Sequence, residues 1–314
     1  MIKWKRFALL LAMVLCATFP MSARGEGAQP LRIVCTSFPC YDFARAVAGD
    51  RGEIQLLIKP GAEVHSYEPT PSEVLSIAEC DLFVYIGGES DAWVRSILDS
   101  FGNAAPRTLR FFDCIEGIEE EEKEGMTLAG GHDHSAGEVE YDEHIWTSPV
   151  NAAAMVNALR DALCAIRPEA ADAFAGNAER YADGIMELDG EIRATVDSAA
   201  RRELIFADRF PFLYFVREYG LEYCAAFPSC AAESEPSAKT LAYLIERVKT
   251  DGIPAVYTIE LSSGRTAQAI SEETGAKVLT MQSIQNVSEA DFSAGENYLT
   301  LMRRNLEALR EGLN

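Results

Sequence analysis

Histidine is scarce in this chain, with four in 314 residues. Cations are also few: 28 Lys and Arg stand against 49 Asp and Glu, a net charge of −21. Binding to nucleic-acid phosphates needs a basic face, so this balance excludes a general nucleic-acid binder. No Cys-x-x-Cys pair occurs, which removes the usual zinc-ribbon and dithiol redox motifs. There is no His-Glu-x-x-His, no nucleophile elbow and no Gly-rich phosphate loop, so common hydrolase and nucleotide signatures are missing. Apart from residues 7–17 there is no long apolar run, which excludes a multi-span membrane protein. What is present, 48% apolar and 25% charged residues, is the composition of a globular chain. Its length suffices for two domains with a sizeable core.

The first residues read as an export signal. Lys3, Lys5 and Arg6 precede the apolar run Phe7–Ala17, and small residues follow at Ser22, Ala23 and Gly25. A basic start, a short apolar stretch and a small-residue cleavage zone define a secretory signal peptide, here residues 1–25. The expected location is therefore periplasmic or otherwise extracytoplasmic. Lipidation at Cys16 is the competing reading, although Leu15 before it fits a lipobox poorly. Removing residues 1–25, with four basic and no acidic side chains, takes the net charge from −21 to −25. Export allows disulfides. Cys35/Cys40 and Cys224/Cys230 are spaced for small loops, with buried apolar thiols as the alternative.

From Leu31 onward short apolar runs alternate with helical stretches, the pattern of a parallel α/β sheet. Strands are expected at Leu31–Cys35, Ile54–Ile58, Leu82–Ile86 and Thr108–Phe112. Thr70-Pro71-Ser72-Glu73 opens a helix with a capping box and a proline at its first position. Residues 117–143 break the pattern. They hold the run Glu119–Glu122 and His132-Asp133-His134, and read as a solvated surface loop. Ser148-Pro149 starts another helix. Pro168 starts a longer one, whose stripe is Phe174, Ala178, Tyr181, Ile185, Leu188, Ile192 and Val196. Roughly 30 residues at 1.5 Å each give a rod of about 45 Å, long enough to bridge two domains. A second series follows, with strands at Leu204–Ala207, Ala255–Ile259 and Lys277–Met281 and a last helix over Ala294–Leu313. The expected architecture is two α/β lobes, 26–165 and 201–314, each with a mainly parallel sheet flanked by helices, joined by the long helix 166–200.

Two of the four histidines stand in equivalent places. His65 lies in a loop after a strand and before the capped helix at Thr70. His144 lies just before the helix at Ser148. Ligands in open α/β sheets bind beyond the carboxyl ends of strands, and neutral imidazole is the commonest metal ligand. Two such loops can converge on one ion.

These residues also carry a resemblance. Gly61–Glu73, with His65, Tyr67, Glu68, Pro69 and Thr70, resembles the first-ligand signature of ZnuA/TroA-like metal-binding proteins, the extracytoplasmic receptors of zinc and manganese ABC importers. His144-Ile145-Trp146 followed by Pro149 is similar to their second-ligand motif. His132-Asp133-His134 in an acidic loop resembles a shortened form of the His/acid-rich loop of the zinc members. The long helix, Glu235–Ala238 and Thr274–Leu279 also match.

The resemblance implies a helical-backbone receptor that binds a metal between its lobes and delivers it to a membrane permease as a monomer. It places His65 and His144 in the first lobe. Counting back from Gly220, the third ligand position falls on Arg209, which is cationic, so Asp208 is expected with a one-residue shift. The fourth position falls on Gln282, with Glu233, Glu235 and Glu260 as alternatives. His132, Asp133 and His134 are expected to form an auxiliary capture site. Two imidazoles and a carboxylate suit Zn²⁺, and more oxygen donors would favour Mn²⁺. A manganese receptor, a secreted zinc hydrolase, and an adhesin on the same fold remain as alternatives.

Overall fold

The computed structural model describes residues 29–126, 140–229 and 235–314. The expected signal peptide, Cys16, the capture residues His132, Asp133 and His134, Cys230 and Glu233 lie outside them.

The first lobe alternates β1 (Leu31–Cys35), α1 (Phe38–Ala48), β2 (Gly52–Leu56), α2 (Pro71–Ala78), β3 (Leu82–Tyr85), α3 (Ala92–Phe101) and β4 (Thr108–Arg110). Its strands are all parallel, in the order β2-β1-β3-β4. Two helices follow, α4 (Pro149–Ile166) and α5 (Ala171–Ser198). The second lobe holds β5 (Glu203–Arg209), α6 (Leu213–Tyr219), β6 (Glu222–Phe227), α7 (Ala238–Asp251), β7 (Ala255–Ile259), α8 (Arg265–Thr274), β8 (Lys277–Met281), α9 (Glu289–Ala294) and α10 (Tyr298–Gly312). Its parallel sheet runs β6-β5-β7-β8, the same strand order over again. In each sheet the order reverses beside the first strand, and the crevice at that switch point is where such sheets bind ligands. Among the described residues no helix is long and apolar enough to cross a membrane.

Local chemistry sets the element ends that matter. Thr70 accepts from the Glu73 amide while the Glu73 carboxylate accepts from the Thr70 amide at 2.7 Å. That capping box fixes α2 just after the His65 loop. Ser148 caps α4 just after His144. The helix expected over Ala294–Leu313 is instead two. Gly295, at φ 76°, ends α9, and Asn297 caps α10 with Thr300. A glycine tolerates that backbone and a capping residue restarts the ladder. β6 is a strand that the sequence pattern did not disclose.

The acidic run is not the solvated stretch expected of it. Residues 118–120 pair antiparallel with 140–142, through Glu120 N to Glu140 O at 2.9 Å and Asp142 N to Ile118 O at 3.0 Å. This stem docks on the second lobe. Ile118 N donates to Tyr214 Oη, Glu120 accepts from Ser229 N and Oγ, and Glu121 accepts from Arg217 and Tyr223. Of the two readings of Cys35 and Cys40, the structure bears out the buried thiols: both are free and fully buried in the first-lobe core. Burial, then the nearby Asp91 charge, pushes Cys40 up to about 12.

One apolar core serves both sheets. It runs from Ile33, Phe43 and Phe111 through Phe174, Ile185, Leu188 and Ile192 of α5 to Phe206, Tyr257 and Met281. Polar ties hold the middle of α5 to both lobes. Tyr181 Oη donates to Asp42 of α1, whose carboxylate also accepts from Arg45 at 2.7 Å and from the Tyr298 amide at 2.9 Å. Asp189 accepts from Tyr219 Oη and Arg193, both at 2.9 Å. Asp42 is 1% exposed, so removing it strands the Tyr181 hydroxyl and the Tyr298 amide. Asp42→Ala should cost about 2–4 kcal/mol of stability in urea unfolding. A loss below about 0.5 kcal/mol would place the tie between α1, α5 and α10 elsewhere.

Candidate metal-binding site

The carboxyl ends of β2 and β3 and the approach to α4 bring four polar residues together. His65 sits in the loop after β2, Ser90 in the turn after β3, and Glu143 and His144 just before α4. Asp91 shapes the turn: its Oδ2 accepts from Ile86 N at 2.8 Å and Gly87 N at 3.0 Å. Burial, against the pull of those amides and with Glu143 adding to it, pushes Asp91 up to about 6. Gly88 must be glycine because a Cβ there would lie 2.2 Å from the Glu143 Cβ.

His144 is completely buried. Its Nδ1 lies 3.1 Å from Asp142 Oδ1, which also accepts the His144 amide at 2.7 Å. An imidazole facing a carboxylate donates from that nitrogen, which leaves the other as the lone-pair donor. That other nitrogen, Nε2, is buried and has no hydrogen-bond partner. Such an orphan costs about 1–3 kcal/mol and calls for a role. A metal cation is the ligand that a bare imidazole nitrogen suits. Burial opposes protonation of His144, but Asp142, then Glu143, outweigh it and raise the ring above its ordinary value.

His65 shows the same polarity by another route. Its Nδ1 lies 3.0 Å from Ser90 Oγ and 3.9 Å from Glu143 Oε1. The Ser90 hydroxyl gives its single proton to Glu143 Oε1. Ser90 Oγ therefore accepts from His65, so Nδ1 carries the hydrogen and Nε2 is the bare nitrogen. Burial first, together with the nearby His144 and Arg209, holds His65 below its ordinary value, against the opposing pull of Glu143 and Glu63.

The second lobe enters through the segment after β8. Trp146 Nε1 donates to Ser283 O at 2.7 Å, and Gln285 Nε2 donates to Glu143 Oε1 at 2.9 Å. Asn286 Nδ2 donates to Lys59 O and Ala62 O, at 2.9 and 2.8 Å, and Gly61 N donates to Val287 O at 2.8 Å. Residues 283–287 thus form a strap that grips the His65 loop.

The expected second-lobe ligands are dispersed. Asp208, near the end of β5, accepts from Thr258 Oγ1 at 2.7 Å and from the Arg209 amide at 2.9 Å. Arg209 reaches toward the first lobe, 3.9 Å from Glu63. Glu260 spends its carboxylate on Ser283 N, Ser283 Oγ and Ile284 N, at 2.5–2.9 Å. Gln282 is tied by its backbone to Asn305. Glu235 pairs with Arg265 in solvent. Among the described residues no three His, Cys, Asp or Glu side chains are gathered closely enough to hold a metal. What stands ready is a pair of imidazoles with bare Nε2 atoms. Two borderline nitrogen donors, each oriented by a hydrogen bond at Nδ1, fit Zn²⁺. Ser90, Glu143 and Gln285 are parts of the site that the sequence did not disclose.

Comparison with known proteins points to zinc-uptake proteins. The family model described as zinc-uptake complex component A, periplasmic, matches residues 33–312. The zinc-binding lipoprotein AdcA of Streptococcus pneumoniae is 34% identical over 312 residues, covering 98% of this chain and 61% of that protein. This chain therefore spans about three fifths of that relative's length. The high-affinity zinc uptake system protein ZnuA of Bacillus subtilis is 30% identical over 295 residues, covering 93% of this chain and 90% of that one. The crystal structure of the Zn(II)-bound ZnuA-like domain of Streptococcus pneumoniae AdcA superposes with a TM-score of 0.75 at 32% identity, covering 90% of this chain and 99% of that one.

The close approach at Gly88 gives a test of the turn itself. Gly88→Ala should lower the melting free energy by about 1–3 kcal/mol, the cost of overpacking a filled site. An unchanged melting temperature would mean that Glu143 does not press on the Gly88 backbone.

Proposed function

This chain belongs to the zinc-uptake component A (ZnuA) family, and on that premise we propose that it captures Zn²⁺ outside the cytoplasmic membrane and delivers it to the permease of an ABC importer. The observation that carries the reading is the buried, unpartnered Nε2 of His144. Together with the matching Nε2 of His65, it offers the cation two fixed nitrogen donors. Nitrogen donors favour zinc over manganese, which prefers oxygen.

Asp208 is the second-lobe carboxylate we assign to the ion. It precedes Arg209, the cation that approaches Glu63 and weighs on His65, and it would exchange its Thr258 contact for the metal. Glu260 has another task, holding the strap, and Glu235 lies in solvent. Water completes the coordination in place of a fourth protein group. His132, Asp133 and His134 serve as a weaker capture site, and residues 1–25 direct export. The activity is binding and delivery rather than turnover, and the protein acts as a monomer.

The acidic chain, net −21, raises the local concentration of cations around the site. The shared core and the rod-like α5 confine loading to small shifts of the lobes rather than wide hinge closure.

Zinc titration of the purified protein against a chromophoric chelator tests this reading. One tightly held zinc per chain is expected, with at least about a hundredfold weaker affinity in His65→Ala and in His144→Ala. Asp208→Ala should weaken binding about tenfold or more, while the exposed Glu246→Ala leaves it unchanged. Wild-type affinity in both histidine variants would refute the site. Equal behaviour of Asp208→Ala and Glu246→Ala would remove Asp208 from it.

A further inference from the structure

Glu143 stands between the two lobes. It is 2% exposed, and its carboxylate accepts from Ser90 N at 2.8 Å, from Ser90 Oγ, and from Gln285 Nε2 at 2.9 Å. Ser90 Oγ is thereby saturated. It gives its proton to Glu143 and accepts from His65 Nδ1 at 3.0 Å and, more weakly, from Gln285 Nε2 at 3.3 Å. A hydroxyl has one proton and two lone pairs, so the direction of every bond in this chain follows from the carboxylate at its end.

Gln285 arrives from 142 residues away in sequence. Its position is held firmly. Ile284 has φ 64°, a left-handed backbone that a β-branched residue adopts at a cost of about 1–3 kcal/mol. Glu260 holds that conformation in place by accepting from Ser283 N, Ser283 Oγ and Ile284 N. Ile284 is buried, and Ser283 O accepts the Trp146 indole. Strain of this kind persists where the surroundings over-determine it, and it collects at functional sites.

We propose that Glu143 is a positioning residue that sets the tautomer of His65 through Ser90, and that Gln285, presented by the strained strap, makes that tautomer depend on the second lobe. The metal-facing Nε2 of His65 is thus kept bare by a relay that crosses the lobe boundary: Gln285 orients Glu143, Glu143 orients the Ser90 hydroxyl, and Ser90 takes the Nδ1 hydrogen. His144 needs no such relay, because Asp142 from its own loop does the same task directly. One histidine is therefore preset by the first lobe alone. The other is preset fully when the lobes are in register. The metal-binding role of Nε2 rests on the zinc reading above, whereas the tautomer relay is a property of the metal-free protein.

Long-range ¹H–¹⁵N NMR of the full chain labelled on histidine tests the relay without any metal. Only four histidines contribute, and His65→Ala identifies the His65 signals. At pH 8 the wild type should show His65 as the Nδ1–H tautomer. Glu143→Gln, whose amide can donate to Ser90 and reverse the hydroxyl, should shift His65 toward Nε2–H. Ser90→Ala should give a mixture of the two tautomers, and Gln285→Ala a smaller shift. His144 should keep its Nδ1–H tautomer in all three variants, because Asp142 holds it, which also reports that the fold is intact. Zinc affinity should fall about 10–100-fold in Glu143→Gln, the usual effect of removing a group that orients a ligand. A wild-type Nε2–H tautomer, or an unchanged Nδ1–H tautomer in both Glu143→Gln and Ser90→Ala, overturns the proposal. If the tautomer shifts as described but the wild type binds no zinc, the relay stands and the zinc reading fails. Zinc binding with an unmoved tautomer gives the reverse.

Discussion

A single apolar core lies beneath both sheets, with α5 as its spine, and the geometry of the site follows from that continuity. Phe174, Ile185, Leu188, Ile192 and Val196 are buried along one stripe of the helix, and the helix packs against α1 and α4 on one side and against α6 and α10 of the second lobe. Separating the lobes would expose this stripe, at about 25 cal/mol for each Å² of apolar surface. At 28 residues the helix spans about 42 Å, and it is pinned to the first lobe by Asp42 and to the second by the bond from Tyr219 to Asp189. The carboxyl ends of the two sheets are therefore held in a fixed relation. Loops leaving those ends can be built to close tolerance across the boundary, which a freely hinged pair would not allow.

The polar contacts at the boundary exploit that rigidity. Residues 283–287 carry backbone and side-chain groups from the second lobe to Trp146, Gly61, Lys59, Ala62 and Glu143 of the first. In return the stem at residues 118–121 carries Glu120 and Glu121 from the first lobe to Ser229, Arg217 and Tyr223 of the second. These two straps make the region around His65 and His144 a shared structure. A buried carboxylate is tolerable there because its oxygens are matched by donors. Glu120 faces Ser229, Glu260 faces Ser283 and Ile284, and Glu143 faces Ser90 and Gln285. Burial still pushes Glu120 and Glu260 above the usual carboxylate range.

Much of this was legible in the residues. The stripe of α5 follows from a 3.6-residue period sustained over about six turns, and the alternation of strands and helices gives two parallel sheets. His65 and His144 stood out because histidine is rare here and each precedes a helix with a clear cap. The features that stayed hidden depend on partners far away in sequence. Nothing near Gln285 or Ser90 marks either one, since their contacts with each other and with Glu143 span 53 to 195 residues. The Glu119–Glu122 run looks solvated by itself, and only the fold sets Tyr223 and Ser229 opposite it. Spacing alone suggested a Cys35–Cys40 bridge, yet both thiols are core side chains. β6, Glu-Tyr-Cys-Ala-Ala-Phe, lacks the alternation of a half-exposed strand because all but its first residue are buried.

The central claim is that two first-lobe imidazoles, each bare at Nε2, hold the metal. X-ray absorption at the zinc edge of the loaded wild-type protein tests it most directly. The account predicts two imidazole ligands per zinc at about 2.0 Å, completed by oxygen donors alone. A shell with fewer than two imidazoles, or one containing sulfur at about 2.3 Å, would contradict it.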